Sequence, residues 1–163
     1  MPGHQWPADG ETSRESMDPI VSAVEPHVRF REARERLGMH PQDVETLSGV
    51  RDAVVWDIED CEGDLVRCYT PSELQRFCRV LRIHPSELFG DRISEPTVLP
   101  GKLVWRIHEE CHSRGGTLEQ FEDAVGWRLS ACMDPPQKLL ESLSIDGLQW
   151  LCREPRIDWR RAL

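Results

Sequence analysis

GMHPQDVETLSGVRDAVVWDIE, residues Gly38 to Glu59, is the stretch that decides the fold. It reads as two short helices joined by a tight turn. His40-Pro41-Gln42-Asp43 is a start signal, because proline at a first helical position gives up an N–H that would be unpaired there anyway. Val44 and Leu47 give this short helix its apolar side. Ser48-Gly49 breaks it, since glycine accepts a left-handed turn at little cost. The chain restarts at Val50, with Val50, Val54, Val55 and Ile58 at helical spacing. That phase turns Asp52, Trp56 and Asp60 outward, with Glu59 beside them. Two helices around a glycine turn make a helix-turn-helix.

The flanks extend the pattern. Upstream, Val28 to Leu37 is predicted as a helix with Phe30, Ala33, Arg34 and Leu37 on one side. Downstream, a turn spans Asp60 to Val66. Thr70-Pro71-Ser72-Glu73 is then a capping box, Thr70 accepting from the Glu73 backbone while Glu73 reaches back. Leu74, Phe77, Cys78 and Leu81 follow at i, i+3, i+4, i+7, a buried stripe. His84-Pro85-Ser86-Glu87 opens a last short helix with the same device, ending Leu88-Phe89.

Taken together, Val28 to Phe89 resembles the lambda-repressor-like helix-turn-helix family, also called the Cro or XRE type. The residues that carry the likeness are Val44, the Gly49-Val50 turn, Val55, Ile58 and Glu59, the fourth helix closing on Cys78, and the Leu88-Phe89 ending. The resemblance implies a five-helix bundle and a structural pair between Arg34 and Glu59. It also implies DNA binding and transcriptional regulation, with the third helix as reader and no catalysis or cofactor. Its implied DNA contacts fall on Gln42, Arg51, Asp52, Ala53 and Trp56, with duplex DNA as the partner. This chain departs from the family in three ways. Pro41 stands where the family's second helix often opens with Gln. The outward carboxylates oppose phosphate by like-charge repulsion. Glu45 replaces a small residue between helices two and three, which implies that it escapes to solvent or splays the pair.

Those departures support a second reading. An outward Trp ringed by acid suits a protein interface, where aromatics anchor and a charged rim selects. Asp52, Trp56, Asp57 and Asp60 would then bind or neutralise a basic protein partner.

The second half repeats the first. Leu74-Gln75-x-x-Cys78-Arg79-x-x-Arg82-Ile83 recurs as Leu148-Gln149-x-x-Cys152-Arg153-x-x-Arg156-Ile157. Val44-Glu45 with Gly49-Val50 recurs as Phe121-Glu122 with Gly126-Trp127, after a capping box at Thr117 to Gln120. A tandem duplication of one unit follows. Its third helix is cut short by Pro135-Pro136, and Pro155 interrupts the helix after Cys152. The expected fold is therefore all-α: tandem five-helix lambda-repressor-like bundles, the second copy degenerate. They are expected to pack as an intramolecular pseudo-dimer, a homodimer being the alternative. The expected boundaries are a disordered leader at 1–26, in which Met17 is an alternative start, a helix-turn-helix domain at 27–90, a linker at 91–101 and the degenerate copy at 102–163.

Composition sets outer limits. The net charge of −9 lowers the expectation of a DNA-binding protein without excluding a local basic face. No apolar run approaches the ~20 residues of a membrane span, and no secretory signal opens the chain. The six cysteines form no C-x-x-C pair, which points to reduced, buried thiols and a cytoplasmic protein. His108-Glu109-Glu110-Cys111-His112 spells H-E-x-x-H, a zinc-hydrolase arrangement. Leu103, Ile107 and Cys111 take the buried side of that helix, so both histidines are expected at the surface and no metal is expected. Trp105, Trp127 and Trp150 are expected to fill the second core. Arg153, Arg156, Arg160 and Arg161 with Trp159 form a terminal basic cluster that could touch nucleic acid.

Overall fold

The structure, a computed structural model, describes residues 25–90, 93, 98–113, 115–125, 128–153 and 157–163. Among them the chain is all-α, with ten α-helices, two 3-10 turns and no strand. Nearly all of the expected leader, most of the expected linker, and Gly126, Trp127, Pro155 and Arg156 lie outside the described residues.

The first six helices are α1 (Pro26–Arg36), α2 (Pro41–Ser48), α3 (Val55–Asp60), α4 (Asp64–Cys68), α5 (Pro71–Leu81) and α6 (Pro85–Leu88). Proline at the first turn starts α1, α2, α5 and α6. Capping boxes at His40–Asp43, Thr70–Glu73 and His84–Glu87 fix three of those starts, each cap being worth about 1 kcal/mol. The expected turn after Glu59 instead holds α4. Gly63, at φ +92, permits the sharp entry, and α4 buries Leu65 alone. Five residues with one inward side chain leave no period to read.

The third helix also differs from expectation. It begins at Val55, not Val50. Asp52 sits at φ +56, in the left-handed region that breaks a right-handed helix, and Val54 is extended. Asp and Asn tolerate that region better than most non-glycine residues. Val50 is still buried, but as a loop residue. No helical stripe therefore runs through Asp52, Trp56 and Asp60.

The core of this half is built on Phe30, Val44, Val55, Ile58, Leu65, Leu74, Phe77 and Leu81. Phe77 meets Phe30 edge-on at 5.7 Å and Tyr69 edge-on at 5.3 Å, so α1, α5 and the α4–α5 link share one aromatic cluster. Leu47, expected on the inner side of α2, is 65% exposed. Val44 and Ser48, one turn apart, take the inward positions instead.

The second half follows the same element order: α7 (Pro100–Ser113), α8 (Leu118–Val125), a 3-10 turn (Leu129–Cys132), α9 (Lys138–Ser142), α10 (Ile145–Arg153) and a terminal 3-10 turn (Trp159–Ala162). Local devices recur with it. Gly38 and Gly115, both left-handed, follow α1 and α7. Met39 N donates to Arg34 O, five residues back, as Gly116 N does to Cys111 O. Ile83 N donates to Cys78 O and Ile157 N to Cys152 O, the same helix-ending bond after α5 and α10. Where α3 would recur there is only the 3-10 turn of Leu129–Cys132.

The halves pack directly on each other. α4 lies against α10, α5 against α9, and α6 against the terminal turn. In element order α9 and α10 stand in the second half where α4 and α5 stand in the first, so the α4–α10 and α5–α9 contacts join corresponding elements. Ile145 N donates to Tyr69 O at 3.1 Å, Gln75 Nε2 donates to Leu163 O at 2.8 Å, and Phe89 meets Trp159 at 4.8 Å.

Candidate functional site

α3 is held from behind by an ion pair. Arg34 Nε donates to Glu59 Oε1 at 2.6 Å and Arg34 Nη2 to Glu59 Oε2 at 2.7 Å. Both residues are buried, at 8% and 2% exposure. A third bond, Arg34 Nη1 to Met39 O at 2.8 Å, ties the same guanidinium to the α1–α2 link. The Glu59 hydrogen bond, opposed by burial, raises the Arg34 pKa, so the guanidinium stays charged. Arg31 adds a second clasp, donating to Glu59 O and to Asp60 Oδ1, the latter at 3.1 Å.

Glu45 neither escapes to solvent nor splays the helix pair. Its Oε1 accepts from Val55 N at 2.8 Å, so it caps the first amide of α3 from a neighbouring helix. A carboxylate there also meets the positive end of the helix dipole. Glu122 does the same in the second half, accepting from Ser130 N in the 3-10 turn. That bond, with Arg128 nearby at 3.9 Å, holds the Glu122 carboxyl below the usual carboxylate range.

With Val55, Ile58 and Glu59 turned inward, α3 presents Trp56, Asp57 and Asp60 to solvent. Trp56 is 49% exposed, and its ring stands edge-on to His40 at 5.8 Å. Asp60 is engaged by Arg31, whereas Asp57 has no cationic partner among the described residues. Residues 41–68 hold eight Asp and Glu against two Arg, a net of −6. Most of the chain's negative charge is thus concentrated around α2, α3 and α4.

The residues expected to contact DNA do not share one surface of a helix. Gln42 is exposed in the first turn of α2, Arg51 and Asp52 are exposed in the connection before α3, and Ala53 is half-buried against the core. Only Trp56 among them lies on α3.

Several other expectations land differently. Trp105 is 55% exposed on α7, near the Arg106 guanidinium, and does not fill the second core. Trp150 does pack inward, its ring 6.0 Å from that of Phe121. Within the terminal basic cluster Arg160 bonds Asp158 at 2.8 Å, the Arg161 backbone O accepts from Val98 N at 2.7 Å, Arg153 is exposed, and Arg156 lies outside the described residues. His108 and His112 are exposed on α7, and the described residues include no group of three side chains placed to hold a metal. All six cysteines are free. Burial pushes the Cys78 thiol far up and the Cys152 thiol up to about 12. No described helix is long and apolar enough to cross a membrane.

One feature was not anticipated from the sequence. An open groove of about 530 Å³ lies between the end of α1, α2 and α5, lined by Leu37, Met39, Leu47, Val80, Arg79 and Arg82. Its signal would have been Leu47, whose outward turn depends on how α2 meets its neighbours. Comparison with known protein families, curated proteins and solved structures finds no match to this chain.

Proposed function

We propose that the chain is a tandem pair of lambda-repressor-like helix-turn-helix bundles, the second degenerate, working as a non-enzymatic protein-interaction module. The recurring end devices of α1 and α7 and of α5 and α10, the shared Glu45 and Glu122 caps, and the α4–α10 and α5–α9 contacts support the duplication. The observation that carries the functional reading is Trp56, 49% exposed on α3 beside the unpaired Asp57. An indole with an acidic rim favours a partner that offers an apolar recess bordered by Lys or Arg. Capture of a protein by the immobilised full chain from native lysate tests this. Capture should be lost on Trp56→Ala, and undiminished capture would reject the surface.

A second reading keeps the scaffold on duplex DNA as a transcriptional regulator of the XRE type. Arg51, exposed in the connection before α3, favours it, with Gln42 exposed at the start of α2. Phosphate contacts make binding fall steeply with salt. The expected result is a salt-sensitive gel shift abolished by Arg51→Glu. The net of −6 across residues 41–68 weighs against this reading.

A further inference from the structure

We infer that two copies of this chain associate through α2, the Trp56 of each entering the Leu47 groove of the other. The groove and the Trp surface are chemically complementary. The groove offers an apolar floor of Leu37, Met39, Leu47 and Val80, with Arg79 and Arg82 at its lip. Leu47 is 65% exposed, so this apolar surface is uncovered in the single chain. Neither arginine has a carboxylate partner among the described residues. Residues 71–88 hold two Glu against three Arg, a net of +1, whereas residues 41–68 carry −6. One small bundle thus presents an acidic aromatic knob and a basic-lipped apolar recess of opposite charge.

The two features lie at opposite ends of one helix. Trp56 stands edge-on to His40, the residue that caps the start of α2. Leu47 stands in the last turn of α2, which is about 12 Å long at the usual rise. A two-fold axis perpendicular to α2, passing beside its middle and between the two copies, sets one α2 antiparallel to the other. It brings both knobs to both recesses at once, so the assembly closes at two chains. Asp57 then approaches Arg79 and Arg82. This inference shares Trp56 with the interaction reading above and implies that partner and second copy compete for it.

Sedimentation velocity of the full chain over a dilution series tests it. A reversible dimer is expected, weakened by Trp56→Ala about thirtyfold per contact, the size of a hot-spot truncation, and so on the order of a thousandfold for the two contacts together. Arg79→Glu with Arg82→Glu should weaken it comparably. All three side chains are solvent-facing, and an unchanged circular dichroism spectrum verifies the fold of each variant. The decisive arm mixes the two variants. One keeps its groove and the other its Trp56, so one of the two contacts is regained and a heterodimer forms where each alone is monomeric. A wild-type chain monomeric at every concentration, a dimer indifferent to these changes, or growth into larger oligomers would each overturn the inference. A monomer that still captures a protein through Trp56 would refute the dimer and leave the interaction reading intact. A dimer with these properties that captures nothing would do the reverse.

Discussion

Removing Glu59 should be far more damaging than removing the whole Arg34–Glu59 pair. Two bonds of 2.6 and 2.7 Å join these side chains in the core. In Glu59→Leu, the Arg34 guanidinium stays buried with Met39 O as its acceptor and only the exposed Glu35 carboxylate, 3.6 Å away, as a counter-charge. An uncompensated buried charge costs roughly 3–5 kcal/mol. At about 2–4 °C per kcal/mol for a chain of this size, the midpoint falls by roughly 6–20 °C. In Arg34→Met with Glu59→Leu, apolar side chains replace both charges and most of that loss should return, because desolvating the native pair offsets much of its attraction. Urea unfolding followed by circular dichroism, run as a double-mutant cycle, reads the coupling directly. Single and double losses that simply add would refute the reasoning, as would a Glu59→Leu effect within about 0.5 kcal/mol, the range of an ordinary surface substitution.

Three further outcomes follow from the same geometry. Glu45→Ala frees the Val55 amide and should lower stability by about 1 kcal/mol, the size of a lost cap, with faster hydrogen exchange at Val55 as the local readout. Glu122 and Asp158 have carboxyl groups held below their ordinary values, Glu122 first by the Ser130 N–H and Asp158 first by its Arg160 hydrogen bond. Their contribution is therefore present above the unfolded carboxylate pKa and lost as pH falls through the lower folded one. The urea midpoint should drop below about pH 4, and Glu122→Gln should flatten that drop. Cys61 and Cys68 are exposed while Cys78, Cys111, Cys132 and Cys152 are buried. An aromatic disulfide reagent should titrate two thiols quickly in the native chain and the remaining four only on unfolding.

Much of the helical framework was legible because its signals are local. Proline at the first turn of α2, α5 and α6, the capping boxes beginning at Thr70 and His84, and the Leu74 to Leu81 stripe depend only on neighbours within a turn or two. The repeat of Leu74–Ile83 at Leu148–Ile157 was visible for the same reason. What escaped depends on long-range contacts or on an uncommon backbone. Asp52 takes a left-handed conformation without being glycine, so periodicity carried α3 back to Val50 when it starts at Val55. Glu45 looked like a misfit until the chain folded and its carboxylate met an amide ten residues on. Leu47 and Trp105 occupy apolar positions in sequence, yet the neighbouring helices leave both exposed. For the candidate site, Trp56 and Asp57 were legible as outward residues, whereas the Arg31 clasp on Asp60 and the Leu47 groove were not.

If the outward side of α3 selects a basic partner, Asp57→Arg should weaken protein binding, whereas on duplex DNA the same change should strengthen retention. Asp57 is exposed, with no cationic partner among the described residues, and an unchanged circular dichroism spectrum verifies the fold of the variant. Protein capture and duplex-DNA retention would be measured on the same preparations, wild type against variant, over a salt series. Protein capture should fall, and DNA retention should not become the dominant activity. Duplex DNA held by the wild type and held more tightly by the variant, with protein capture unchanged, would contradict the basic-partner reading.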